Sequence, residues 1–167
     1  MFERLAANAA GYFFSVLVGY WAIRHLMSAA WSSVMYGLGG NTLHPNPYPQ
    51  HPEAIGLLER TLYTAAWQLG ITEFIGIWLV LKVAGGWKGW TEDLPVSSGK
   101  LSGRTVFNLF LLGTGVSLAY GVVGALIIQR LNRDSWAIAL LLALVTVGAT
   151  YGLRWFLTRS APPRAAV

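Results

Sequence analysis

Arg24 and Glu73 are the residues best placed to do chemistry in this chain, because each interrupts an apolar run long enough to lie in a membrane. A charge near the centre of a bilayer costs at least ~2.5–3.5 kcal/mol, so such residues pair with one another or line a polar path. Counted at helical rise, Arg24 sits about 21 Å from one face and Glu73 about 17 Å from the other, so their depths in a ~30 Å core differ by roughly 8 Å. A long arginine spans that difference. The two are expected to form an intramembrane ion pair, or a site for a polar ligand, a quinone headgroup or a proton. Ala66, Gly70 and Gly76 share the face of Glu73 and would let another backbone approach.

Three other groups carry weaker signals. His25 is the one histidine inside an apolar run, and its helical neighbours Ala22, Ser28, Ala29 and Ser32 are small. Axial ligation of a haem or chlorophyll needs such a recess, although a hydrogen-bonded or interfacial histidine fits there equally. A protein holding a bis-histidine haem alone would need a second histidine at that depth, so a self-contained b-type cytochrome is excluded. His44 and His51 are weak candidates for a metal, because two imidazoles seven residues apart across prolines fix no geometry. Glu92 and Asp93 are adjacent carboxylates among lysines, a pair familiar in acid–base catalysis but read here as ordinary solvated charge. No residue is assigned a catalytic role.

The elements that must position these residues follow from composition. Of 167 residues, 54% are apolar and 11% charged, and none is cysteine. Soluble domains average about 25% charged residues, so an all-α integral membrane protein is expected. Without cysteine there is no disulfide, thiolate metal site or iron–sulfur cluster. The net charge of +5 serves membrane topology rather than nucleic acid. Spans are expected at about 9–38, 61–83, 105–128 and 135–157, a single bundle of four transmembrane helices making up one domain, 1–167. The first is expected to continue through Arg24 until Gly37, Gly39 and Gly40 stop it. It is read as a retained span, although Ser28-Ala29-Ala30 resembles a signal-peptide cleavage site.

Loops and flanks complete the expectation. Lys and Arg residues flanking the spans divide eight to three, which puts both termini and loop 84–104 in the cytoplasm. The proline-rich loop 41–52 and loop 129–134 then face outward. Trp136 and Trp155 bracket the last span about 28 Å apart at helical rise, close to the bilayer thickness. Small residues recur every four positions at Ala7, Gly11, Ser15 and Gly19, and again at Gly113, Ser117, Gly121 and Ala125. Such stripes let helices pack closely in lipid, within the chain or against a partner.

The functional expectation is a non-catalytic structural or accessory subunit of a larger membrane complex, an electron-transfer assembly of respiratory or photosynthetic type in the bacterial inner membrane. Its partners would be other membrane subunits and lipids. The sequence requires no cofactor, and haem, chlorophyll or quinone would be held together with those subunits. Two alternatives stay open: a small oligomeric transporter or channel using Arg24 and Glu73, and a membrane redox enzyme subunit acting on a quinone-like substrate.

Overall fold

The computed structural model describes residues 2–37, 52–96 and 99–159. The chain opens with α1 (Phe2–Tyr12), which passes through a π-helical segment (Phe13–Val18) into α2 (Gly19–Gly37). There follow α3 (Pro52–Leu69), α4 (Glu73–Thr91), the short antiparallel strands β1 (Leu94–Val96) and β2 (Gly99–Leu101), α5 (Gly103–Leu131) and α6 (Trp136–Arg159). Three helices are long and apolar enough to cross a membrane: the continuous Phe2–Tyr36 stretch, α5 and α6. The first runs through Arg24 without a break.

The segment expected to be one span over 61–83 is instead two helices. Gly70 adopts φ +72°, and its amide bonds the Trp67 carbonyl while that of Ile71 bonds the Ala66 carbonyl. This is the Schellman arrangement, which ends a helix by turning the chain through a left-handed residue. α4 then folds back along α3, and Trp78 and Lys82 both reach Glu59. Pro52 occupies the first position of α3, where its missing N–H costs nothing.

Helix directions follow from who meets whom. A methyl on Gly11 would strike the Gly124 carbonyl and the Ile128 side chain, one on Gly19 would meet Tyr120, and one on Gly113 would meet Met27. α1 and α2 therefore run antiparallel to α5. By contrast Arg60, Thr64 and Gln68 bond to Ser117, Gly121 and Ala125, each 57 positions later, so α3 runs parallel to α5. α6 is antiparallel to α5 across a turn in which Asp134 takes φ 54°. The start of α1, the 70–72 turn and the 132–135 turn consequently share one end of the bundle. The starts of α3 and α5, the β hairpin and the end of α6 share the other. The beginning of the first helix and the end of the last therefore lie at opposite ends of the bundle.

Both small-residue stripes are consumed inside the chain. Ser15 (0% exposed), Ser117 (3%) and Ala125 (0%) are buried, as are Gly11, Gly19 and Gly121, while Gly113 faces Met27. The close approach lets Phe14 stack on Tyr120, ring centroids 5.4 Å apart, and dispersion over such interlocked surfaces is what holds helices together in lipid. The outer surface is apolar. Leu140, Leu141, Leu144 and Val145 of α6 are exposed between Trp136 and Trp155, themselves exposed, as an aromatic-flanked lipid-facing helix requires.

The closest approach makes a testable contrast. A Cβ at Gly124 would lie 2.6 Å from Ser15 Cβ and 2.8 Å from the Gly11 carbonyl, whereas one at Gly148 meets nothing within 4 Å. Gly124→Ala should cost about 1–3 kcal/mol by forcing the helices apart, and Gly148→Ala should be neutral or slightly stabilising. Thermal unfolding of the purified variants in detergent measures both.

Candidate functional site

Half-way along α5, the bundle interior is polar. α3 supplies Glu59 (1% exposed), Arg60 (2%), Tyr63 (0%) and Thr64 (0%), and α5 supplies Thr114 (7%) and Ser117 (3%). These positions recur at three- and four-residue steps, so they line the face that α3 turns to α5. From α4, Lys82 and Trp78 reach the same place.

Two networks meet here. In the first, Lys82 Nζ lies 2.7 Å from Glu59 Oε1 and 2.9 Å from Oε2, and donates its third hydrogen bond to Thr114 Oγ1 at 2.9 Å. Trp78 Nε1 donates to Glu59 Oε1 at 3.1 Å, and the ammonium sits 4.9 Å from the centre of the Phe110 ring. All three donors of the lysine and both oxygens of the carboxylate are used. In the second network Thr64 Oγ1 lies 2.8 Å from the Arg60 carbonyl, 3.0 Å from that of Gly121 and 3.0 Å from Ser15 Oγ. Its single proton is shared among these acceptors, and Ser15 Oγ in turn donates to the Tyr12 carbonyl at 3.4 Å.

The Arg60 guanidinium lies between these networks, although its backbone carbonyl belongs to the second. Nη1 contacts Ser117 Oγ and Nη2 the Val16 carbonyl, each at 3.5 Å, long for hydrogen bonds. Nε has no partner, nor does the Tyr63 hydroxyl. Among the described residues no carboxylate pairs with the guanidinium, because Lys82 holds Glu59. Val16 belongs to the π-helical segment, a backbone irregularity common at functional sites.

The structure does not bring Arg24 and Glu73 together. Both are exposed. Arg24 Nη1 donates to the Tyr20 hydroxyl at 2.7 Å, and its guanidinium lies 5.9 Å from that ring centre. Glu73 begins α4 immediately after the Gly70 turn, where a carboxylate favours the positive end of the helix dipole. That turn ends the span that would have carried Glu73 to mid-depth. His25 is exposed and stacks on Trp21, centroids 6.1 Å apart. His44 and His51 lie outside the described residues, and Glu92 and Asp93 are exposed.

Glu59, Arg60 and Lys82 were missed because hydropathy alone assigns them to the flanks of a single span. Their spacing held the signal: Trp78 and Lys82 are one turn apart in an otherwise apolar run, and Glu59 and Arg60 sit inside a helix-periodic one. No family model, curated protein or solved structure matches this chain. The site therefore has to be read from its own geometry.

Removing one member of a buried pair strands the other. Glu59→Gln should destabilise the protein by about 3–5 kcal/mol, whereas Glu73→Gln should leave its unfolding midpoint nearly unchanged. Detergent-solubilised variants compared by thermal unfolding test the difference.

Proposed function

We propose that this chain is a small membrane transport protein, a carrier or channel, whose polar centre is Arg60 with the Glu59–Lys82 pair. The observation that carries this reading is a buried arginine on α3, level with the middle of the membrane-length helix α5 and without a carboxylate partner among the described residues. Ionisable groups at such depth mark substrate or ion pathways in membrane proteins. The transporter expectation from the sequence is kept, with its residues moved from Arg24 and Glu73 to this cluster.

Orientation follows from basic residues at the two ends of the bundle. Lys88, Lys100, Arg104, Arg154 and Arg159 cluster at one end, against Arg4, Arg130 and Arg133 at the other. The positive-inside bias then puts the β hairpin and the end of α6 in the cytoplasm and the start of α1 outside, in a bacterial inner membrane.

A second reading, an accessory subunit of a larger membrane complex, is favoured by one observation. Trp21 is 58% exposed and stacks on the exposed His25, and an imidazole on the outer face of a crossing helix is better covered by protein than by lipid. There His25 would meet a neighbouring subunit or a tetrapyrrole held with one.

Flux measurements in liposomes decide between transport and a purely structural role. Ion movement above the rate of empty liposomes is expected, falling at least about tenfold in Arg60→Gln through loss of a charge-assisted interaction, and unchanged in Glu73→Gln. Rates equal to empty liposomes would overturn the transport reading. Cysteines placed at Asn132 and Ser102 should react from opposite sides, with Ser102 reachable from the cytoplasm.

A further inference from the structure

We propose that Arg60 and Tyr63 form a binding site for a small inorganic monoanion, of halide size, in the interior of the bundle. This deepens the transport reading and rests on it for the purpose of the site, while the binding itself can be measured without any flux. Four observations converge on it.

The first is charge. Within the buried cluster Glu59 contributes one negative charge and Arg60 and Lys82 two positive ones, so the interior carries one positive charge too many. The carboxylate cannot be shared, because both its oxygens are bonded by Lys82 and one also by Trp78. A cation buried at 2% exposure whose neighbouring carboxylate is already paired with a second cation is costly in a low-dielectric interior. One monovalent anion restores neutrality, and a divalent one would overshoot it.

The second is donor chemistry. Among the described residues, the two buried side-chain groups left without partners are Arg60 Nε and the Tyr63 hydroxyl. Both are N–H or O–H donors, and what such a pair lacks is an acceptor. They are three residues apart on α3, one turn along the same face. A single anion resting against that face can accept from both.

The third is the slackness of the contacts Arg60 does make. Its two terminal nitrogens stand 3.5 Å from neutral oxygens, where a well-seated guanidinium would be 2.7–2.9 Å from an anionic acceptor. The side chain is held in place without being satisfied.

The fourth is placement. Gly19 and Gly56 let the arginine lie close against their backbones: a Cβ at Gly19 would lie 3.0 Å from Arg60 Cδ and one at Gly56 3.3 Å from Nη1. Gly56 is half-buried and lies one turn toward the start of α3, so the guanidinium extends toward the end of the bundle that carries most basic residues. The depth of the site also selects among monoanions. Ser117 is at the middle of α5, about 15 Å from either edge of a ~30 Å hydrocarbon core, beyond the level at which a phospholipid headgroup sits. A free inorganic anion fits that depth better than a lipid phosphate.

The test uses the full chain in detergent at constant ionic strength, with chloride, bromide or sulfate replacing gluconate. The unfolding midpoint is expected to rise saturably with chloride and bromide and to respond little to sulfate. Tyr63→Phe keeps the ring and removes one donor, so it should fold and weaken the apparent chloride affinity ~10- to 100-fold, the factor for one hydrogen bond to a charged group. Arg60→Lys should abolish the response, and Glu73→Gln should leave it unchanged. A midpoint indifferent to chloride and bromide would overturn the site, as would an equal response in Tyr63→Phe and the unaltered chain. Phosphorus analysis separates the lipid alternative: one phospholipid retained per chain, lost in Arg60→Lys and insensitive to chloride, would also overturn it. Chloride binding without liposome flux leaves the site standing and removes the transport reading. Flux without a chloride response does the reverse.

Discussion

The contact between Lys82 and Glu59 is the interaction on which the hairpin depends. α4 packs Ile75, with Phe74, Trp78 and Leu79, against Tyr63, Ala66 and Leu118, but Ile77, Val80, Leu81 and Trp87 are exposed, and in lipid an exposed apolar face supplies no drive toward protein. One ammonium, using all three of its donors, ties α4 to α3 through Glu59 and to α5 through Thr114. The pair costs desolvation, and in exchange it fixes the direction and register of a helix that hydrophobic matching alone would leave undetermined.

Around that tie, the small residues and the polar residues act together. Close approach of α1 and its π-helical continuation to α5 is set by Gly11, Ser15 and Gly124, and the same approach puts Ser15 within hydrogen-bond distance of Thr64. Thr64 in turn reaches the Gly121 carbonyl, which a side chain larger than glycine's would push away from α3. The stripes thus do more than let backbones touch. They bring hydroxyls and carbonyls from three helices to one depth, where Arg60 threads between them.

What the sequence made legible is what hydropathy can see. The uncharged runs 105–128 and 135–153 became the bodies of α5 (Gly103–Leu131) and α6 (Trp136–Arg159), because each is long and apolar. The continuity of the first helix through Arg24 was also readable from the absence of a stop signal. The Gly70 turn was not, because glycine is common in apolar helices and nothing in its neighbours demands a left-handed residue. Missing that turn also displaced the charges. With α3 and α4 taken as one span, Arg60 and Lys82 fell on its flanks and Glu73 in its middle, whereas the fold reverses these places. The interior site was therefore hidden by a single backbone dihedral and not by any weakness of its own residues.

The order in which the hairpin and α5 leave the ribosome adds a constraint on biogenesis. Glu59, Arg60 and Lys82 are made before Thr114 and Ser117, and chain segments emerge at ≈ 5–20 residues per second. For those seconds Arg60 and Lys82 lack the hydroxyl partners that α5 supplies. α3 and α4 cannot settle in hydrocarbon alone at that stage, since unsatisfied charges are expelled from it. They wait at the water interface or in the insertion machinery until α5 arrives, and then enter as a unit behind a helix synthesised after them.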